Sequence, residues 1–122
     1  MSNKKRGFDA ERELLHLLSL KGFAVARIAG SGMMKETSCD LLAGNGKEKY
    51  AIEVKISSKE KKYIEKKQIE NLREFSKKFG AIPLIAIKFL RKGWFFLRPE
   101  QLKKTKKGFV ALLEEGKKET II

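Results

Sequence analysis

The sequence has little of the two residue types that most often build disulfides and transition-metal sites. Its single cysteine, Cys39, has no partner for an internal disulfide and no second thiol for a structural zinc site. It also has one histidine, His16, which we expect to lie on the surface. Carboxylates therefore remain as the candidate ligands for a metal ion.

Long apolar runs are also missing. The longest, Ala81 to Ile87, falls well short of the roughly 18 apolar residues of a membrane-spanning helix, and it contains Pro83. The basic start is followed at residues 7–13 by a charged stretch rather than by the uninterrupted apolar segment of a signal peptide. We therefore expect no membrane contact and a cytoplasmic location, associated with the nucleoid.

Acidic residues are few compared with basic ones. The 122 residues include 15 Asp and Glu against 28 Lys and Arg, which gives a net charge of +13. Such an excess destabilises the compact state by self-repulsion and usually marks a polyanionic partner, above all nucleic acid. The hydrophobic fraction of 42% is sufficient for one core. We expect a single domain over residues 1–122, with a basic arm at about 1–7 and a basic extension at about 103–122.

Hydrophobic periodicity predicts a mixed α/β domain. The predicted order is helix, three strands, helix and two strands, which implies a mixed sheet with helices packed on it. Residues 108–115 fit a short strand, a short helix or both in succession. The predicted elements are helices at 8–21 and 66–79, strands at 23–28, 41–43, 49–56, 82–87 and 93–97, and a helical turn at 99–102.

The most informative stretch is a predicted hairpin that joins Asp40 to Glu53 and Lys55. Residues 49–56 alternate so that Glu53 and Lys55 share one face, and the Asn45-Gly46 pair is a strong hairpin signal. The hairpin would bring Asp40 near Glu53. Two carboxylates and an ammonium at a strand end suit Mg²⁺, which takes oxygen ligands and shares its other positions with water and phosphate. The alternative is that Glu53 and Lys55 belong to a solvated strand face.

Glu11 falls on the inward stripe of the first predicted helix, together with Phe8, Leu15 and Leu18. A buried carboxylate is costly unless it is paired or binds a metal ion. Glu11 is therefore a third candidate ligand. The alternative is that it lies at the edge of the stripe and pairs with Arg12 or another base.

Basic and polar residues surround these acids in the sequence. Arg27 lies near the end of the predicted strand at 23–28 and could bind a phosphate or form a structural salt bridge. A glycine-flanked serine, Ser31, lies in the long connection before Asp40. Because it has no evident histidine partner in the sequence, a contact with phosphate or substrate is favoured over a role as nucleophile. Residues 57–64, which combine lysines with Tyr63, predict either a phosphate-binding mouth for the site or a solvated loop.

A helix glutamate, an aspartate and Glu-x-Lys on the next strand, in this order, resemble the PD-(D/E)xK nuclease superfamily. The whole string is most similar to the archaeal Holliday junction resolvases of the Hjc type. Cys39 departs from the superfamily pattern, which has proline there, and the loop between Ser31 and Asp40 is longer than usual. The likeness rests on Gly7–Leu14, Gly22–Gly32, Asp40–Gly46, Ile52–Lys55 and Glu74–Pro83.

The resemblance implies a restriction-endonuclease-like fold and a homodimeric endonuclease that depends on Mg²⁺, with Mn²⁺ as a substitute. It would recognise four-way DNA junctions by shape and cut two opposing strands. Glu11, Asp40 and Glu53 would handle the metal, Lys55 the water and developing charge, and Ser31 would support catalysis. The residues expected to contact DNA are Arg12, Arg27, Lys4, Lys5, Arg6, Lys59, Lys61 and Lys62.

Two other functions fit the same residues. One is a nuclease of this fold that acts on other branched or damaged DNA, and the other is a basic nucleic-acid-binding module without catalysis. Acids placed where DNA phosphates must approach argue against the second. The sequence leaves open the position of the cut, the number of metal ions, the dimer surface and partner proteins such as a sliding clamp.

Overall fold

The computed structural model describes residues 3–28, 39–115 and 117–118. Within these ranges the chain forms two helices, nine strands and two 3-10 turns. The helices are α1 (Asn3–Leu20) and α2 (Lys66–Phe79), and the 3-10 turns are Pro99–Gln101 and Leu113–Glu115. The strands are β1 (Ala24–Arg27), β2 (Leu41–Gly44), β3 (Lys49–Ser57), β4 (Lys61–Glu65), β5 (Ile82–Phe89), β6 (Gly93–Leu97), β7 (Lys103–Lys104), β8 (Gly108–Leu112) and β9 (Lys117–Lys118).

The main sheet is mixed, as the sequence predicts. Its six strands lie in the order β1-β2-β3-β5-β6-β9. β3 and β5 are parallel and are joined by a crossover that contains α2, whereas the other neighbours are antiparallel. The parallel pair forms the centre of the sheet, and β5 is buried along most of its length.

The predicted hairpin joins β2 and β3. The Asn45 side chain closes its turn by accepting hydrogen bonds from the backbone N–H groups of Lys47 and Glu48, at 2.9 and 2.8 Å. Gly46 has a φ of +92°, which a residue with a side chain rarely adopts. The resulting register pairs Leu41 with Ile52 and extends β2 towards Asp40.

A separate hydrophobic cluster covers each face of the main sheet. Alternation along β3 and β5 divides the buried residues: Ile52 and Leu84 face α1, while Ala51 and Ile85 face α2. From α1 the residues Ala10, Leu14 and Leu18 complete the first cluster, and from α2 the residues Ile69 and Leu72 complete the second. Burying both faces leaves a polar side chain on β3 little access to water.

The first helix differs from its prediction. It begins at Asn3, so residues 3–7 are helical, and its buried stripe runs through Ala10, Leu14 and Leu18. Phe8, expected in the core, is 47% exposed. Its ring instead lies under the guanidinium of Arg27, 4.0 Å from the ring centroid, and this contact accounts for an aromatic side chain at the surface.

The segment expected to be a basic loop includes a strand. β4 pairs with β8, and β8 with β7, in a second sheet that the sequence did not predict. Residues 108–115, for which the sequence left the choice open, form a strand followed by a 3-10 turn. The periodicity of α2 predicts Phe75 or Ser76, together with Phe79, on its inward face; Ser76 is buried, whereas Phe79 is 46% exposed. In the part of the chain described, no helix is both long and apolar enough to cross a membrane.

Gly108, on β8, packs closely against the end of β4 and the start of α2. A Cβ atom there would lie 2.6 Å from the carbonyl oxygen of Ile64 and 3.0 Å from the backbone nitrogen of Lys66. Because backbone atoms cannot move aside cheaply, we expect Gly108→Ala to lower the free energy of unfolding by about 1–3 kcal/mol.

The matched control for this substitution is Gly7→Ala. Its Cβ would meet nothing within 4 Å on α1, and alanine is the better helix former, so we expect a gain of about 0.5–1 kcal/mol. Urea denaturation of both variants measures the difference. An unchanged unfolding midpoint for Gly108→Ala would contradict the tight packing.

Candidate active site

Asp40 is fixed at the point where β2 begins. Its backbone N–H donates to the carbonyl oxygen of Ile52 at 2.9 Å. Its carboxylate oxygen Oδ2 accepts the backbone N–H of Val54 at 2.8 Å. These two hydrogen bonds flank Glu53 on the neighbouring strand, so the hairpin brings Asp40 beside Glu53 as predicted.

Glu53 and Lys55 are not part of a solvated strand face. Their side chains are only 14% and 17% exposed, and Lys55 Nζ lies 3.4 Å from Glu53 Oε2. The ammonium also donates to Gln68 Oε1 at 3.1 Å. The lysine is therefore held between a carboxylate on its own strand and an amide on α2.

Gln68 is the third residue of α2, a position at which a glutamine often reaches back to close a capping box. Here Glu65, the residue that precedes the helix, receives no side-chain cap. The Gln68 side-chain oxygen instead accepts a hydrogen bond from the Lys55 ammonium. The first turn of α2 thus contributes a polar group to the site rather than to its own end.

Glu11 reaches the site from α1 and is paired with Arg27. Arg27 Nε donates to Glu11 Oε1 at 2.9 Å, and the Glu11 side chain is 20% exposed. The base that pairs with Glu11 is thus Arg27 rather than its neighbour Arg12. Since Phe8 lies against the same guanidinium, the arginine is held from two sides.

Burial and mutual repulsion raise the pKa of two of the acids. Burial, followed by the charge of Asp40, raises the pKa of Glu53 to about 7, although Lys55 opposes the shift. Burial also raises the pKa of Glu11; the hydrogen bond from Arg27 opposes this change, and Asp40 adds to it. The three carboxylates therefore lie within electrostatic range of one another, and a cation among them would relieve the repulsion.

The donor chemistry of these residues fits a hard divalent cation. Among residues 3–28, 39–115 and 117–118, no group of three or more His, Cys, Asp or Glu side chains is gathered closely enough to hold a metal ion. Glu11 is turned towards Arg27 in this arrangement. Mg²⁺, however, needs only one or two carboxylates and keeps several waters. Asp40 and Glu53, which repel each other, supply that number.

A basic groove of about 540 Å³ adjoins the end of β3. It contains four of the residues expected to contact DNA, namely Arg6, Lys59, Lys61 and Lys62, together with Lys55. Three others lie elsewhere: Arg12 is exposed on α1, Lys5 pairs with Asp9 at 3.4 Å, and Arg27 holds Glu11. Ser31 and the side chain of Lys4 lie outside the described residues.

The sequence analysis missed Ser57, which shapes one end of this groove. Its hydroxyl contacts the carbonyl oxygens of Lys59 and Lys61, at 3.2 and 2.6 Å, and accepts the N–H of Lys59 at 3.1 Å. These contacts fix the turn between β3 and β4. A serine at a strand end before a polar turn was the available signal, because its hydroxyl competes for nearby backbone groups.

The raised pKa of Glu53 predicts a pH-dependent stability. Its folded-state pKa, about 7, lies above its ordinary value of 4.5. Between these values the folded protein binds more protons than the unfolded chain, so this contribution is full below pH 4.5 and is lost as pH rises through 7. The free energy of unfolding should fall by on the order of 3 kcal/mol over this range, because a shift of one pKa unit corresponds to about 1.4 kcal/mol.

Glu53→Gln removes this titration. In EDTA, we expect the variant to be more stable than the wild type at pH 8, with a flatter profile between pH 4.5 and 7. Chemical denaturation from pH 4.5 to pH 8 measures both profiles. Parallel profiles for the two proteins would show that Glu53 titrates normally.

The sequence is similar to that of a known protein family over almost its whole length. The family model described as archaeal Holliday junction resolvase (hjc) matches residues 2–120. The chain is 40% identical over 106 residues to the crossover junction endodeoxyribonuclease Hjc of Archaeoglobus fulgidus, covering 87% of this chain and 78% of the relative. It is 43% identical over 106 residues to the protein of the same name from Methanocaldococcus jannaschii, covering 87% and 75%.

A solved structure gives the same result. The structure of Archaeoglobus fulgidus Hjc, a Holliday junction resolvase from an archaeal hyperthermophile, superposes with a TM-score of 0.85. The two chains are 37% identical, with 88% of this chain and 90% of the other covered. The mixed sheet between two helices is thus a restriction-endonuclease-like fold. The chain belongs to the archaeal Holliday junction resolvase (Hjc) family.

Proposed function

We propose that this protein is a Mg²⁺-dependent endonuclease that resolves four-way DNA junctions by paired, symmetric hydrolysis of phosphodiester bonds during recombination and repair. The observation that supports it most directly is the partly buried arrangement of Asp40, Glu53 and Lys55 on the β2–β3 hairpin. Relatives in the same family bear the name crossover junction endodeoxyribonuclease. An acid pair beside a lysine is the chemistry that such a reaction needs.

Asp40 and Glu53 are the residues that would hold Mg²⁺, with Glu11 acting directly or through a water. When bound, the ion would polarise the scissile phosphate and lower the pKa of a water molecule. Mn²⁺ is expected to substitute for it. Arg27 keeps the Glu11 carboxylate oriented by its hydrogen bond, so it acts on the site through Glu11.

Lys55 is the group that meets the reacting phosphate. Its ammonium would orient the attacking water or stabilise the negative charge that develops on the phosphate. Glu53 and Gln68 hold the ammonium in one position before substrate arrives. Such preorganisation avoids the cost of ordering a long side chain during the reaction. Ser31 remains a proposed supporting residue of the catalytic site.

DNA would lie along the basic groove. Arg6, Lys59, Lys61 and Lys62 line it beside Lys55, so phosphates held there would reach the catalytic lysine. Lys4, Lys5 and Arg12 on α1 would extend the contact surface. These cations bind the backbone of any sequence, which fits recognition by shape.

Paired cuts in a symmetric junction call for two copies of the chain. We propose a homodimer related by a two-fold axis, because such an interface presents the two sites symmetrically. The candidate surface is a largely apolar groove of about 300 Å³, lined by Val25, Leu42 and Phe79 among others. Phe79 stacks on Phe75 with ring centroids 5.5 Å apart, yet it is 46% exposed.

The alternative substrates are other branched or damaged duplexes, for which the same fold and acids would serve. A binding module without catalysis is the less favourable alternative. Such a module has no use for a desolvated Glu53, whose negative charge opposes the approach of phosphate.

Cleavage of a synthetic four-way junction tests the function. We expect the wild type to nick two opposing strands in Mg²⁺ and to leave a linear duplex of the same arm sequence intact. Asp40→Asn keeps an oxygen for the Val54 N–H but loses the carboxylate charge. Its cleavage rate should fall by at least about 100-fold, while its junction affinity in EDTA stays within a few-fold.

The outcomes separate the candidate functions. Equal cutting of the duplex would mean that the substrate is not the junction. Junction binding without nicks in either Mg²⁺ or Mn²⁺ would favour the binding module. Full activity of Asp40→Asn would contradict the assigned metal site.

Phe79→Lys tests the dimer surface. A lysine in a two-fold interface would face its own copy or the neighbouring apolar groove, so we expect the variant to sediment at the mass of one chain. Leu20→Lys is the matched control, because Leu20 is 88% exposed at the end of α1 and does not line that groove. The control should sediment as two chains, like the wild type. If Phe79→Lys also does so, the dimer uses another surface.

A further inference from the structure

Tyr63 is an aromatic residue exposed on β4. Its neighbour Ile64 is buried in the core, whereas the Tyr63 side of the strand faces outward and Tyr63 is 62% exposed. The ammonium of Lys61 lies 5.4 Å from the ring centroid. With so much of the residue in solvent, hydrophobic burial gives little reason for an aromatic residue here.

The ring lies in the same groove as the catalytic lysine. The groove of about 540 Å³ is lined by Lys55 at the end of β3 and by Tyr63 on β4. Ser57 fixes the turn between these two strands by contacting the carbonyl oxygens of Lys59 and Lys61. The position of the ring relative to the catalytic strand is therefore set by the backbone rather than by a flexible loop.

The groove combines two kinds of contact. The side chains of Arg6, Lys59 and Lys62 can neutralise phosphates, which every DNA presents at similar density. Tyr63 offers a π face, on which an unpaired or unstacked base can stack. The bases of a continuous duplex are stacked on both sides. Where the four arms of an open junction meet without stacking on one another, the base pair that ends each arm has one free face.

We propose that Tyr63 stacks on a base exposed at the branch point of the junction and so contributes to the preference for junction over duplex DNA. This inference rests on the proposed function. It assigns different roles to neighbouring side chains: the lysines supply affinity for any DNA, and Tyr63 supplies discrimination. Stacking on one base corresponds to roughly a 5- to 150-fold change in binding.

Binding of a four-way junction and of a linear duplex, measured in EDTA over a series of salt concentrations, tests the proposal. Tyr63→Thr removes the ring but keeps a residue that suits a strand. We expect it to weaken junction binding at least five-fold, with no change in duplex binding or in the salt dependence. Tyr63→Phe, which retains the ring, should bind the junction within two-fold of the wild type.

Lys59→Gln is the matched control from the same groove. It should weaken junction and duplex binding alike and lower the slope of log affinity against log salt by roughly one. If Tyr63→Thr behaves in this way, or binds the junction as the wild type does, the assignment is wrong.

A fluorescent base gives a second readout. With 2-aminopurine at the branch point, the wild type and Tyr63→Phe should quench its emission and Tyr63→Thr should not; the base placed mid-arm should respond to none of them. Equal quenching by Tyr63→Thr would overturn the stacking.

Cleavage distinguishes failure of this inference from failure of the proposed function. A wild type that never cuts junctions in Mg²⁺ would contradict the proposed function. A wild type that cuts them while Tyr63→Thr binds the junction normally would contradict only this inference.

Discussion

The site depends on one constraint, which is that Glu53 is a carboxylate on a strand covered on both faces. Asp40 is locked beside it by the hydrogen bond from the backbone N–H of Val54 to Asp40 Oδ2. Neither acid can move away from the other without breaking the extension of β2 along β3. The loss of hydration of Glu53 and its repulsion by Asp40 are therefore fixed by the sheet, and in that order they account for the raised pKa of Glu53. The fold holds two like charges where water is scarce, an arrangement that a cation would stabilise.

The surrounding residues offset this cost only partly. Lys55 lies 3.4 Å from Glu53, and Arg27 binds Glu11 at 2.9 Å, yet the pKa of each acid remains raised. Complete neutralisation by the protein would leave no reason for a metal ion to bind. The overall charge of +13 acts differently, because exposed lysines can attract a polyanion from a distance without neutralising the partly buried acids. In the proposed reaction, the acids within the fold and the bases on its surface would thus serve separate purposes.

Local sequence signals predicted the β2–β3 hairpin and the charged residues on it. The orientation of α1 and the presence of β4, which the sequence analysis missed, depend on long-range packing. The Asn45-Gly46 turn and the alternation along β3 involve neighbours in sequence, and both were confirmed. The stripe of α1 was shifted because the helix meets the sheet through small Ala10 and two leucines, leaving Phe8 to cover Arg27. β4 was missed because its lysines are typical of a loop, and its partner β8 lies more than forty residues away in the chain. No periodicity within a short window reports such a pairing.

The second sheet gives β3, the strand that carries Glu53 and Lys55, a rigid continuation. β3 ends at Ser57, and after a turn of three residues β4 begins at Lys61, where β8 pairs with it. Because the Ser57 hydroxyl contacts the carbonyl oxygen of Lys59 within that turn and that of Lys61 at its far side, the path from Lys55 to the basic side of the groove contains no free hinge. In the proposed reaction, a substrate that fits the β4 side would therefore be aligned at the same time with Lys55. The backbone of one β3–β4 unit would then couple recognition to chemistry, so a DNA whose shape does not match the groove would bind by charge yet present its phosphate out of reach.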